Sequence, residues 1–203
     1  PPGSTSIQPL DSYLSPSTGA PNVSSLKSGD AIYVQGHPGS GKTHILYFLV
    51  ATCVMPMDHF SVFIGGWNKV AFVIDMDGHF QISRFRDILV SRLQFFLPPQ
   101  SITPVVEHSL KCVHIFRPTS SDQLSATLAH FPKYHAKHFP NIELGMIAVH
   151  SIDALYWLDR FKAEQLRASS RVVASQSITS TLESLRSSYG LITVSTHWGL
   201  PQQ

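Results

Sequence analysis

The chain has 203 residues, enough for one domain with a substantial core, and 43% of them are hydrophobic against 14% charged. A net charge of only +2, with histidine neutral, gives no global field to draw in nucleic acid, and so few charges leave apolar or merely polar surface for a protein partner. No 18-residue apolar run and no charged-then-apolar leader occurs, so neither a membrane span nor a secretory signal is expected, and Cys53 and Cys112 lie in apolar runs that read as reduced core thiols of an intracellular protein.

Residues 1–28 are rich in Pro, Ser, Gly and Thr and read as a flexible arm, in which Leu10, Tyr13 and Leu14 are the residues able to dock. Ala31–Gln35 reads as a short buried strand. Gly36-His37-Pro38-Gly39-Ser40-Gly41-Lys42-Thr43 follows and matches G-x-x-x-x-G-K-[ST] at every fixed position. Thr43 to Cys53 then reads as a helix burying one face through Ile45, Leu46, Leu49 and Val50. Strand, glycine-rich turn and helix together make a phosphate-cradling loop. Its glycines let backbone N–H groups converge on a phosphate chain, and the helix adds the positive end of its dipole. Gly36, Gly39, Ser40, Gly41, Lys42 and Thr43 are the expected nucleotide-binding residues. Lys42 reaches phosphate oxygens, and the Thr43 hydroxyl is a magnesium ligand.

Val54-Met55-Pro56 ends that helix, and Gly65-Gly66 marks a turn. Val70–Asp75 is an unbroken apolar run ending in an acid, the mark of a strand covered on both faces. Phe85, Ile88, Leu89, Leu93 and Phe96 share one helical face, with Pro98-Pro99 as its stop. Cys112–Phe116 is a third strand. Ser121 or Asp122 caps the next helix, which Pro132 interrupts or ends. Leu144–Val149 is a fourth strand, Ser151 to Phe161 looks helical, and Val172–Ser188 more clearly so, with Ile178, Leu182 and Leu185 on one face. Leu191–Ser195 is a fifth strand. This alternation predicts a doubly wound α/β domain with a mostly parallel sheet and helices on both faces, whose ligands sit beyond the carboxyl ends of the strands.

A nucleotide hydrolase of this type needs an acid behind the magnesium, a group that orients the attacking water and a group that senses the γ-phosphate. The acid should end the fourth strand, where His150 stands instead. A +2 and a −1 charge about 4–5 Å apart attract by roughly 7 kcal/mol at an effective dielectric near 20, and an imidazole lacks that. Asp153, one helical turn later, is a substitute acting through water. Asp77 is the water-orienting candidate, with Asp75 as understudy, unless both acids simply cap the turn before the next helix. Thr196 or His197 occupies the sensor position, which is equally a plain strand end. His130, His135 and His138 cluster without a nearby cysteine or carboxylate and read as a partly exposed polar face. Arg160, Lys162, Arg167 and Arg171 can follow a DNA backbone, although Asp159 and Glu164 dilute them into a solvated face.

Three stretches carry a family resemblance: Gly41–Pro56, Phe72–Asp77 and His150–Arg160. Together they resemble the RecA-type recombinase superfamily, and within it a short eukaryotic recombinase paralogue, over about residues 29–198. The resemblance implies a RecA-like ATPase core over residues 29–203, without an N-terminal helical domain and with little of a second DNA loop after Trp198. It implies ATP and magnesium as cofactors, although hydrolysis is weak or absent because His150 stands for the metal-supporting Asp, Asp77 for a Glu, and the last-strand amide is missing. It implies a nuclear subunit that pairs with another recombinase paralogue and assists filament assembly on single-stranded DNA during homologous recombination. The family's Phe-x-x-Ala hook is not found in residues 1–28, which fits an end position that receives a hook. The alternative is an active DNA-dependent ATPase with Asp77 and Asp153 as stand-ins.

Overall fold

Alternating apolar strands and helices can close only as a layered α/β sheet, because each strand must bury both of its faces. A computed structural model describes residues 3–14, 26–155, 161 and 170–198, with residues 170–177 described by backbone alone. Five strands form the main sheet: Ala31–Gly36 (β1), Val70–Asp75 (β4), Val113–Phe116 (β5), Leu144–His150 (β6) and Ile192–Trp198 (β7). Their order is β1-β7-β6-β4-β5 and every pairing is parallel. A small antiparallel hairpin pairs Asp58–His59 (β2) with Val62–Phe63 (β3). The helices are Gln8–Leu14 (α1), Lys42–Val54 (α2), Ile82–Leu93 (α3), Pro99–Lys111 (α4), Ser121–His138 (α5) and Ser170–Tyr189 (α6). The expected architecture, mostly parallel with helices on both faces, therefore holds.

Side chains alternate along each strand, so one strand feeds two cores. Ala71 and Val73 of β4, with Met146 and Ala148 of β6, face α2, α3 and α4. Val70, Phe72 and Ile74 face α5 and α6, whose Leu124, Leu128, Phe131, Ile178 and Leu185 cover them. Phe72 centres the second core, with ring centroids 4.8 Å from Phe131 and 5.4 Å from Phe116. Gly145 is skipped in the pairing of β4 with β6. A Cβ there would stand 2.7 Å from Lys69 Cβ and 3.0 Å from Cys53 Sγ, so only glycine lets these strands close together.

Several expectations are corrected. Where a flexible arm is expected, residues 3–14 lie against the domain. Ile7, Leu10 and Leu14 pack on the first core, the Ser4 and Thr5 carbonyls accept from Trp67 Nε1 and Thr52 Oγ1, and Tyr13 points to solvent. That segment and α3 cover the outer side of α2, which consequently buries Ala51, Thr52, Cys53 and Val54 as well as Leu46, Leu49 and Val50 of its expected stripe, with Ile45 half-buried. Pro98-Pro99 stops one helix and starts another, α4, because proline suits the first helical turn, where its missing N–H has no partner to lose. Phe96 falls in the connecting turn and is exposed rather than on the core face. Pro132 neither ends nor interrupts α5, since Leu124, Leu128 and Phe131 before it are buried and Tyr134 after it packs against the same core. Ser120 caps α5, its Oγ accepting from Gln123 N at 3.2 Å, in place of Ser121 or Asp122. Cys112 lies at the end of α4 rather than in β5. Of the helix expected from Ser151 to Phe161, Ile152–Leu155 is a 3₁₀ turn, and residues 156–160 lie outside the described residues. Among the described residues no helix is long and apolar enough to cross a membrane.

Candidate nucleotide site

The carboxyl ends of β1, β4, β6 and β7 meet on one side of the sheet, and the candidate residues lie there. Gly39 and Gly41 hold φ of 77° and 87°, the left-handed region that a tight loop requires, and Gly41 caps α2. A Cβ on Gly36 would sit 2.6 Å from Ser40 Oγ, so that glycine keeps the loop closed. Lys42 Nζ donates to the carbonyls of Gly36 at 2.6 Å and His37 at 2.7 Å, which curls the lysine over its own loop. Gly36 to Thr43 thus has the shape of a phosphate nest at a helix N-terminus and fits a polyphosphate.

Behind Thr43 the loop meets a histidine rather than an acid. β6 pairs with β4 so that His150 lies opposite Asp75. His150 is buried, with Nε2 3.0 Å from Thr43 Oγ1 and Nδ1 2.9 Å from Asp77 Oδ1 and 3.6 Å from Asp75 Oδ1. Ser151 has φ of 56°, held by its N–H donating to Thr196 Oγ1 at 2.8 Å, and its own hydroxyl donates to Asp77 Oδ2 at 2.6 Å. Burial alone would raise the Asp77 carboxyl. The Ser151 hydroxyl, the nearby His150 and the His79 N–H outweigh it and hold that carboxyl below its ordinary value. Asp75 is fully buried and accepts from Arg117 Nε at 3.0 Å and from the Phe80 N–H at 3.3 Å. Arg117 Nη2 also donates to the Phe80 carbonyl, and Tyr47 OH accepts from Gln81 N, so the segment after β4 is fastened at both ends.

The structure therefore places the sequence candidates unevenly. Thr43, His150 and Asp77 form one connected line. Asp153 stands apart from it, accepting from Trp198 N at 2.8 Å and lying 3.7 Å from His197 Nδ1, while His197 Nε2 meets Ser195 Oγ at 2.8 Å. Thr196 is committed to Ser151 N. Asp75, Asp77 and His150 bring one donor atom each within 4.8 Å of one another, a set able to take a cation. Sequence reasoning passed over Arg117 and Ser151. Arg117 follows the end of β5, where such folds place functional groups, and that position was the available signal. Of the histidine cluster, His135 Nε2 meets the Ile142 carbonyl and His138 packs at a tilt against Tyr134, with ring centroids 4.3 Å apart. Arg160, Lys162 and Arg167, and the side chain of Arg171, lie outside the described residues.

No family model matches the chain. The chain is similar to the DNA repair protein XRCC2 of Mus musculus, 29% identical over 175 residues, which are 86% of this chain and 58% of that protein. It is also 29% identical over 68 residues to the DNA repair protein XRCC2 homolog of Arabidopsis thaliana, 34% of this chain and 18% of that protein. The chain thus spans 58% of the mouse relative's length. These relatives bear out the resemblance to a short eukaryotic paralogue of the RecA-type recombinases and the RecA-like character of the core.

Proposed function

We propose, starting from an XRCC2-like chain with a RecA-like core, that this protein serves DNA repair by homologous recombination as a subunit of a recombinase-paralogue complex. It works in the nucleus, stacks on a neighbouring paralogue, and assists filament assembly on single-stranded DNA. It holds ATP and magnesium with little hydrolysis of its own. Thr43 is the residue that would hold magnesium, which would supply charge neutralisation to the phosphates there.

One observation carries the stacking. Among the described residues β5 is a sheet edge, and beside it runs a groove of about 540 Å³ in which Phe116, Pro118, Ala126, Phe131 and Tyr134 are joined by the polar Gln123, Thr127 and His130. An open edge strand beside an apolar groove suits an extended partner segment that adds backbone hydrogen bonds and buries an aromatic anchor. The weak hydrolysis is supported by His150 in place of a carboxylate and by Asp77 being turned to His150 and Ser151.

Co-purification with candidate recombinase paralogues tests this, with nucleotide content read for the wild type and Lys42→Ala. The expected result is a stable hetero-complex, nucleotide lost in the variant, and hydrolysis near background with or without single-stranded DNA. A robust DNA-stimulated turnover abolished by Lys42→Ala would instead establish the active ATPase.

A further inference from the structure

The line Thr43–His150–Asp77–Ser151 has a chemistry of its own, set by which atoms are able to donate. An ionised carboxylate only accepts hydrogen bonds, so His150 Nδ1, 2.9 Å from Asp77 Oδ1, carries its proton. In a neutral imidazole the other nitrogen, Nε2, is then an acceptor, and it lies 3.0 Å from Thr43 Oγ1. The threonine proton consequently points to His150, and the oxygen lone pairs are left for the side of the phosphate loop. A carboxylate at position 150 would impose the same orientation by accepting the same proton. We infer that His150, with its tautomer fixed by Asp77, is the acceptor that orients the Thr43 hydroxyl for a metal–nucleotide: a histidine–aspartate pair in the place of one carboxylate.

The surroundings serve that arrangement. Ser151, in a left-handed conformation rare outside glycine, is locked by Thr196 and aims its hydroxyl at the far oxygen of Asp77. Asp75, 3.6 Å from Nδ1, is engaged by Arg117 and Phe80, which leaves Asp77 as the nearer acceptor. His150 is 2% exposed, so its ring is shielded from bulk water. Asp77 is in this arrangement a positioning residue acting through His150. The inference rests on reading Gly36 to Thr43 as a nucleotide loop.

Asp77→Asn is the test. An amide turned to donate at Nδ1 leaves the proton on Nε2, which then donates to Thr43 and occupies a lone pair the metal needs, the tautomer error known for a triad aspartate. ¹⁵N imidazole spectra should show the Nδ1–H form in the wild type and the Nε2–H form in Asp77→Asn. Affinity for a fluorescent ATP analogue should fall about tenfold in magnesium, the usual cost of a lost outer-shell partner, with little change in EDTA. Thr43→Val, which keeps the shape and removes the hydroxyl, should give the same magnesium-specific loss and move the His150 Nε2 resonance. It serves equally well where Asp77→Asn does not fold. A wild-type Nε2–H tautomer overturns the inference. So does unchanged magnesium affinity in Asp77→Asn or Thr43→Val while Lys42→Ala abolishes binding, a result that leaves the loop reading intact. No analogue binding by the wild type in either condition removes the loop reading and this inference together.

Discussion

Replacing His150 by the acid that the RecA-type pattern expects should damage the protein rather than repair it. The imidazole lies between Thr43 on one side and two carboxylates on the other, 2.9 Å from Asp77 and 3.6 Å from Asp75. An aspartate at that position puts a third negative charge about 5 Å from each of the other two. At an effective dielectric near 20 each repulsion is about 3 kcal/mol. Arg117 is already committed to Asp75 and offers no second charge. The hydrogen bond from His150 to an ionised carboxylate is lost as well, at roughly 1.5–3 kcal/mol. Solvent on the open side of the loop screens part of the repulsion, so His150→Asp should lose about 3–5 kcal/mol in EDTA. Millimolar magnesium should recover part of that loss. The double variant His150→Asp/Asp77→Ser should be more stable than His150→Asp alone, with a coupling energy of at least about 2 kcal/mol. Urea unfolding followed by circular dichroism, with unchanged m-values, reads all three. A His150→Asp protein within about 1 kcal/mol of the wild type in EDTA, or additive single and double variants, would refute the electrostatic reasoning.

The other expectations are simpler. Arg117→Met leaves the buried Asp75 carboxylate with the Phe80 N–H and, at 3.6 Å, His150 Nδ1, and since Arg117 is itself half exposed the cost in urea unfolding should be about 2 kcal/mol. Phe72→Ala opens a cavity among Phe116, Phe131 and Tyr134 and should cost about 3–5 kcal/mol by the same measurement. Removing residues 1–14 uncovers Thr52 and Trp67 and the packing of Ile7, Leu10 and Leu14, at roughly 3 kcal/mol, seen as a lower thermal midpoint. The Asp77 carboxyl is held below the ordinary value of 3.8 in the fold, so its stabilisation is full above that value and is lost as pH falls through the folded one. Ser151→Ala removes a hydrogen bond to the ionised form, and the acid-unfolding midpoint should therefore rise.

The sheet was legible because buried parallel strands leave continuous apolar runs, and Val70–Asp75 coincides with β4 to the residue. The phosphate loop was legible because its glycines and Lys42 are fixed by backbone geometry and by one charge. Pro98-Pro99 was ambiguous in principle, since proline both ends a helix and opens one, and the helical spacing of Ile102, Val105 and Val106 after it was the discriminating sign. Pro132 misled because the tertiary burial of Leu128 and Phe131 outweighs a local breaker. The docking of residues 3–14 had a weak sequence trace, as it depends on backbone carbonyls meeting Thr52 and Trp67 and on three apolar side chains in a polar stretch. Side-chain direction was the least legible quantity. Asp77 as a water-orienting acid and Asp77 as a partner of His150 are the same letter in the same place, and only the register of β4 against β6 separates them.

That register also changes what the sequence differences mean together. Taken one at a time, His150 for an acid, Asp77 for a longer acid and Thr196 or His197 for an amide look like three separate erosions of a catalyst. In the fold they are one connected set. Thr43 meets His150, His150 meets Asp77, Asp77 meets Ser151, and Ser151 meets Thr196. An aspartate reaches the imidazole from the end of β4 without forcing the ring off Thr43, whereas one further methylene would have to be accommodated inside a buried cluster that already holds Asp75. A threonine at the end of β7 supplies the hydroxyl that fixes Ser151. Because each member is positioned by its neighbour, changing one toward the family pattern disturbs the hydrogen bond of the next. The site should consequently resist piecemeal reversion, with single reversions costing stability and the combined change of positions 77, 150 and 196 costing less than their sum.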